Sequence, residues 1–391
     1  MPPPPKSRRW TWRSQAFRGA VFQVLAVLVL LAAGAYLLSN TLANMRARGI
    51  QSGFDFVTQP AGFAIGESLI PFDSAESYGK AYLVGLVNTL RVAVAGIVAA
   101  TLLGTLIGIG RLSHNLLVRS LCSAYVELIR NIPLLLQLFI WYFVLTELLP
   151  PVEAALQPVS GLLFFSKNGL QFPLPIWSAG HGATLAGLAA GLLLAWLWRR
   201  FARQRFEASG QALPVFWPAL GLLVLCAVAG WLAGGAPSGL DVPERTEITV
   251  VGGGAVTPEY LTVLFGLTVY TASYIAEVVR AGIQSVAYGQ HEAAAALGLT
   301  RSHELRLVQL PQALRVIIPP LTSQYLNLTK NSSLAVAVGY PDLVSISVTS
   351  LNQTGRAIEC IALVMACYLT LSLLTSALMN FYNRRAKLKD R

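Results

Sequence analysis

The chain has 391 residues, 54% of them hydrophobic and only 12% charged, about half the ~25% charge usual in soluble domains. Its 29 Lys and Arg against 18 Asp and Glu leave a net charge of +11, but so few charges in so apolar a chain cannot build both a polar surface and a phosphate-binding face. A soluble enzyme and a DNA- or RNA-binding domain are excluded; the class is a polytopic helical membrane protein whose basic excess reports orientation.

Residues 1–20 are polar and basic, and the Pro2–Pro5 run cannot be helical. A membrane span needs about 20 mostly apolar residues. The first apolar run is 21–42. It exceeds the ~7–15 residues of a signal-peptide core and so reads as an uncleaved anchor. A polar stretch rich in Gly, Ser and acids covers 43–81. Further apolar runs follow at about 82–110, 133–149, 183–198 and 214–233. A Gly/Pro-rich stretch, 234–257, precedes the last three runs, at about 259–279, 313–338 and 357–381. The run at 313–338 contains Pro319–Pro320 and the polar cluster Asn327–Ser333, which are expected to break it.

Eight spans put both termini on one side, and the charges choose which. The N-terminus, 111–132, 199–213, 277–315 and the C-terminus hold 21 basic residues and 6 acids, whereas the other side holds 7 and 12. The positive-inside rule makes the first side cytoplasmic. No period of 20–50 residues is visible, which weakens the case for folds built from sequence repeats.

Nucleotide-binding and catalytic patterns are missing. Gly252–Gly254 is followed by Ala255, Val256 and Thr257, with no Walker lysine. Gly104, Gly108 and Gly110 lie in a span, where small residues let helices approach. The histidines, His114, His181, His291 and His303, are scattered. Cys122, Cys226, Cys360 and Cys367 sit in or beside apolar runs without metal-ligand or disulfide spacing, and read as small buried hydrophobes. No cofactor or metal is implied.

The stretch 289–311, GQHEAAAALGLTRSHELRLVQLP, lies between two spans on the cytoplasmic side. Ala-rich 291–297 favours helix, Gly298 can end it at positive φ, and Thr300 or Ser302 can cap a second short helix running to Pro311. The expected product is a helix–turn–helix knob. Its plainer reading is a surface connector held near anionic lipids by Arg301 and Arg306.

Glu292-Ala293-Ala294, Gly298, Val308 and Leu310-Pro311, at these spacings, resemble the EAA loop of bacterial ABC importer permeases. Val308 stands where that pattern usually has Ile. Residues 111–138 (RLSHNLLVRSLCSAYVELIRNIPLLLQL), 274–290 and 326–340 resemble the polar-amino-acid branch of these permeases. The core resemblance covers about 82–149 and 259–381. The intervening 150–258 is similar to long members such as the general L-amino-acid and the glutamate/glutamine/aspartate/asparagine importers.

The resemblance implies an all-α polytopic bundle of about eight transmembrane helices with a type I ABC importer permease core. It implies a cytoplasmic N-terminus (1–20), an anchor (21–42), a periplasmic loop (43–81), a permease domain (82–381) with a helix pair inserted at about 183–233, and a cytoplasmic tail (382–391). Glu292 to Gly298 would transmit motion from two ATPase subunits. A second permease would complete the pore in the bacterial inner membrane, and a periplasmic binding protein would deliver an L-amino acid. The chain itself would hydrolyse no ATP, and no nucleic acid is involved. The alternative is a secondary amino-acid transporter driven by an ion gradient.

Asn327, Lys330, Asn331, Ser332 and Ser333 form the candidate substrate path. A helix from Arg315 places Lys330 about 22 Å along its axis, within a ~30 Å hydrocarbon core. A buried cation there faces a partner or an aqueous path. Lys330 can meet a substrate carboxylate, pair with Asp342 or Glu277, or snorkel. Arg91 reads as a snorkelling cation near a span end, and Glu127 and Arg130 as a local pair. Glu277 and Arg280 share that spacing and can brace the knob.

Overall fold

The computed structural model describes residues 12, 14–47, 49, 52–246 and 249–386. Most of the basic N-terminus and residues 387–391 of the tail lie outside the described residues. The helices in chain order are α1 (Gln15–Ala47), α2 (Tyr78–Gly110), α3 (Leu116–Asn131), α4 (Leu134–Phe143), α5 (Ala179–Ser209) and α6 (Phe216–Ala233). They continue with α7 (Pro258–Gln284), α8 (Tyr288–Ala296), α9 (Arg301–Glu304), α10 (Leu310–Asn331), α11 (Leu343–Thr354) and α12 (Ala357–Ala386). Among the described residues six helices are long and apolar enough to cross a membrane, and two broken helix pairs bring the total to eight.

The broken pairs correct the expected spans. The span expected at 133–149 is preceded by α3, which occupies most of the segment assigned to the cytoplasm, 111–132. Pro133 separates α3 from α4 with extended backbone (ψ 136°), because its ring clashes with a continuing helix. The Gln137 side chain closes this break by donating to the carbonyls of Ile129 and Ile132, both at 2.9 Å.

In the second pair, Pro319 and Pro320 do not break the helix as expected. The α10 helix runs through both, with the two rings on its exposed face. The break comes later. Ser332–Val338 tightens to a 3-10 helix that ends at Gly339 (φ +79°). Asp342 then starts α11 by accepting from the Ser345 N–H at 2.8 Å, and the two arms meet at 51°.

The chain divides into two compact units, one comprising residues 1–127 with 271–391, the other residues 128–270. In the first, α1 buries almost nothing, as a lipid-facing anchor does. The following loop is not merely polar. Phe56 and Ala61 insert beside Tyr78, Tyr82, Leu343 and Cys360 in one apolar cluster. Arg356 donates to Asp55, at 2.9 Å from Nη2 to Oδ2, while Glu359 accepts from the Gly53 N–H at 2.7 Å. The Arg356 guanidinium holds the Asp55 carboxyl below the usual carboxylate range. Arg91, read as a snorkelling cation near a span end, pairs with Glu67 of this loop.

Two glycines set the helix packing of this unit. A Cβ on Gly104 would lie 2.7 Å from Ile275 Cβ and 2.8 Å from the Ala272 carbonyl oxygen. On Gly108 it would lie 2.7 Å from the Ala276 oxygen. The α2 and α7 backbones therefore touch, as in small-xxx-small membrane interfaces. Gly282 gives Ile317 of α10 the same access to α7, at 2.2 Å.

The second unit pairs α5 with α6 through Gly180, Gly187, Gly191 and Gly230, each closer than 3.0 Å to the opposing helix or its end if given a Cβ. The stretches on either side of this hairpin carry short strands. Phe164–Ser166 (β1), Gly169–Phe172 (β2) and Gly254–Val256 (β7) form an antiparallel sheet ordered β1-β2-β7. Leu174–Pro175 (β3) pairs with Leu240–Asp241 (β4), and Glu244–Arg245 (β5) with Val250–Val251 (β6).

Gly108→Leu will force α2 off α7 at a cost of about 2–3 kcal/mol, lowering the thermal unfolding midpoint in detergent by a few degrees. Gly34→Leu, where nothing lies within 4 Å, will leave it unchanged. Equal midpoints for the two variants would show that the α2–α7 contact is dispensable.

Candidate functional site

The knob between α7 and α10 is built by its own sequence. Residues 288–296 are helical because alanine pays no side-chain entropy. The helix stops at Gly298 (φ +68°). There Gly298 N–H donates to the Ala295 carbonyl at 2.9 Å and Leu299 N–H to that of Ala294 at 3.1 Å. This is a Schellman termination, which favours glycine at the left-handed position. Thr300 caps α9 by accepting from the His303 N–H, so of the two expected caps it is Thr300 rather than Ser302.

The second knob helix does not end at Pro311, as the sequence suggested. Leu305–Gln309 forms a π-helical turn that passes straight into α10, with Pro311 in its first turn. The wider turn absorbs the missing proline N–H and its ring. The knob is thus continuous with the helix that crosses the membrane. Val308 is half-buried in this π turn, and Leu310 and Pro311 follow it.

Side-chain pairs make the knob rigid. His291 of α8 meets Glu304 at the end of α9, and Gln312 of α10 donates to Gln290 Oε1 at 3.1 Å. Ala294 is buried beneath the helix, so of the expected close-seating pair only Ala293 faces outward. Glu292 is exposed beside it. Tyr288 and Leu297 are 75% and 79% exposed, which gives the knob two large side chains that are mostly uncovered. Below the knob, Glu277 is shared by Arg111 at the end of α2 and Arg280 one turn on.

The polar cluster of α10 divides. Asn327 and Lys330 are exposed on one helix face, aligned with Ser323 at the same periodicity. Ser332 points the other way, buried, its hydroxyl donating to the Thr329 carbonyl at 2.8 Å. Asn331 and Ser333 are intermediate. Neither carboxylate expected for Lys330 takes it: Glu277 is held by two arginines, and Asp342 caps α11. The α10 helix therefore carries a cation and an amide on a face that the chain does not cover.

The model of the family described as "Binding-protein-dependent transport system inner membrane component" matches residues 183–388. The chain is 45% identical over 387 residues to the general L-amino acid transport system permease protein AapQ of Rhizobium johnstonii, covering 98% of this chain and 96% of that one. It is 46% identical to the putative amino-acid ABC transporter permease protein YhdX of Escherichia coli, covering 96% and 95%. To the glutamate/glutamine/aspartate/asparagine transport system permease protein BztB of Rhodobacter capsulatus it is 41% identical, again covering 96% and 95%. The chain belongs to this family.

The sequence reading placed the knob helices and the turn at Gly298 but missed the pairs that fix them. His291 and Glu304 are thirteen residues apart on either side of the turn, close enough to meet only once Gly298 reverses the chain. Arg111 opens the 111–138 stretch, yet its contact with Glu277 spans 166 residues and leaves no local signal.

Removing the half-exposed His291–Glu304 interaction costs about 1 kcal/mol. Glu304→Gln will therefore speed amide hydrogen exchange in 288–297 about five-fold, leaving α2 and α7 unchanged. Unaltered exchange in the knob would mean that the turn alone holds it.

Proposed function

We propose that this chain is a permease subunit of an ATP-driven importer that carries L-amino acids, polar, acidic or of broad range, across a bacterial inner membrane. Both termini lie in the cytoplasm, on the side favoured by the distribution of basic residues. The knob at 289–311 is the coupling element. Glu292, Ala293 and Gly298 present a rigid short helix to a cytoplasmic ATPase, with Ala294 seated beneath and Val308, Leu310 and Pro311 joining it to α10. The observation that carries this reading is that join: a knob with an outward face continuous, through one π turn, with a membrane helix.

In this mechanism two ATPase subunits close on ATP, the knobs follow, and α10 moves as a lever. A periplasmic binding protein delivers the amino acid, and a second permease subunit completes the path. Ligands that favour one conformation shift the population between inward- and outward-open states. Lys330 and Asn327 face this path, the ammonium meeting the substrate carboxylate and the amide its amine or carboxylate. Asn331, Ser332 and Ser333 shape the end of the helix beside them. Hydrolysis belongs to the partner. The near full-length likeness to ABC permease subunits does not favour a secondary carrier.

Gly298→Val places a β-branched residue at φ +68°, at a cost of about 1–2 kcal/mol. It will cut ATP-driven amino-acid uptake by the reconstituted complex about ten-fold without lowering the amount of chain in the membrane. Undiminished uptake would remove the knob from coupling. Lys330→Met will raise the half-saturating concentration of acidic amino acids about ten-fold, the equivalent of 1.4 kcal/mol. An unchanged value would take Lys330 out of the path.

A further inference from the structure

The α5 helix outlasts its apolar run. After Leu197 it continues to Ser209 with Arg199, Arg200, Arg203 and Arg205 against a single acid, Glu207. Arg203 is engaged by Glu207 at 2.9 Å. Among the described residues no carboxylate lies within ion-pair distance of the other three. Arg200 stacks on the Trp196 ring, 5.6 Å from its centroid. That contact occupies the face of the guanidinium and leaves its N–H edge available.

Beside these arginines the α5–α6 hairpin opens. Its glycines draw the two helices together as far as Gly191, where a Cβ would lie 2.9 Å from Leu223 Cα. Beyond that point a groove of about 640 Å³ lies along them, lined by Trp196, Arg199, Phe216, Ala219, Leu220 and Leu223. This is within the ~300–1,000 Å³ range of ligand pockets. The returning turn is fixed by Trp198, whose indole N–H donates to the Pro214 carbonyl at 3.2 Å. The groove thus sits at the boundary between the apolar and basic parts of α5, flanked by Trp196, Trp198 and Trp217. Membrane proteins place such aromatic side chains at headgroup depth.

We infer that this groove is a binding site for one anionic phospholipid, its acyl chain between α5 and α6 and its phosphate on Arg199 and Arg200. Charge complementarity selects the occupant. A zwitterionic lipid would fill the apolar part but leave the arginine cluster unbalanced. A free phosphate would satisfy the arginines and leave the groove empty. Guanidinium forks match phosphate oxygens two at a time, and basic pockets between membrane helices suit anionic headgroups.

The test is native mass spectrometry of the full chain in detergent, titrated with phosphatidylglycerol or phosphatidylcholine. Wild type should retain one phosphatidylglycerol at least ten-fold more tightly than phosphatidylcholine. The double variant Arg199→Gln/Arg200→Gln, altered only at exposed positions, should bind the two lipids alike. Arg199→Lys/Arg200→Lys should keep part of the preference. Ala219→Phe should displace both lipids with the arginines intact. Equal binding of the two lipids by wild type would overturn the proposal, as would displacement of phosphatidylglycerol by millimolar inorganic phosphate. So would an Ala219→Phe chain that loses self-association but keeps its lipid, since the groove would then be a contact between copies.

Discussion

The arrangement of the first unit depends on a helix contact to which α2 contributes glycine backbone rather than side chains. At Gly104 and Gly108 the α2 backbone lies where the Ala272 and Ala276 carbonyls of α7 fill the space a methyl would need. Lipid supplies no hydrophobic drive to bring two apolar helices together, so close van der Waals contact has to do it. This approach brings the end of α2 near enough for Arg111 to share Glu277 with Arg280. One turn further along α7, Gly282 admits Ile317 and so fixes the height of α10.

The proposed coupling rests on what that geometry leaves free. α10 is held laterally by Gly282 and by the Thr101–Tyr325 hydroxyl contact at 2.9 Å. At one end it continues into the knob, and at the other it tightens to a 3-10 turn and bends. A helix clamped in its middle and continuous with an exposed rigid element can tilt as one body. The face bearing Lys330 and Asn327 moves with it. A polar face left open on a membrane helix is costly against lipid, which supports assigning it to a path or a partner rather than to the bilayer.

Much of this was legible because it is local. Apolar runs gave the positions of the spans, Gly298 and Thr300 gave the ends of the knob helices, and the spacing of Gly104 and Gly108 gave a helix contact. The misjudged elements depended on context. The α3 helix is amphipathic rather than apolar, so a search for apolar length passed over it. The two prolines of α10 are tolerated because their rings face outward, and Pro311 because a π turn precedes it; neither is encoded in the proline itself. Pairs such as Arg91–Glu67, Asp55–Arg356 and His291–Glu304 join segments brought together only by folding. The strands of the second unit are two to four residues long, too short to show a period of two, and the β2–β7 and β3–β4 pairings lie across an intervening helical hairpin.

Under the proposed coupling, this chain moves its substrate only when an ATPase drives the knob. The direct measurement is uptake of labelled L-amino acids into vesicles holding the purified chain, with and without its permease, ATPase and binding-protein partners. No uptake is expected from the chain alone under a sodium or proton gradient, and ATP-dependent uptake is expected from the full assembly. Gradient-driven uptake by the chain alone would contradict the proposed coupling.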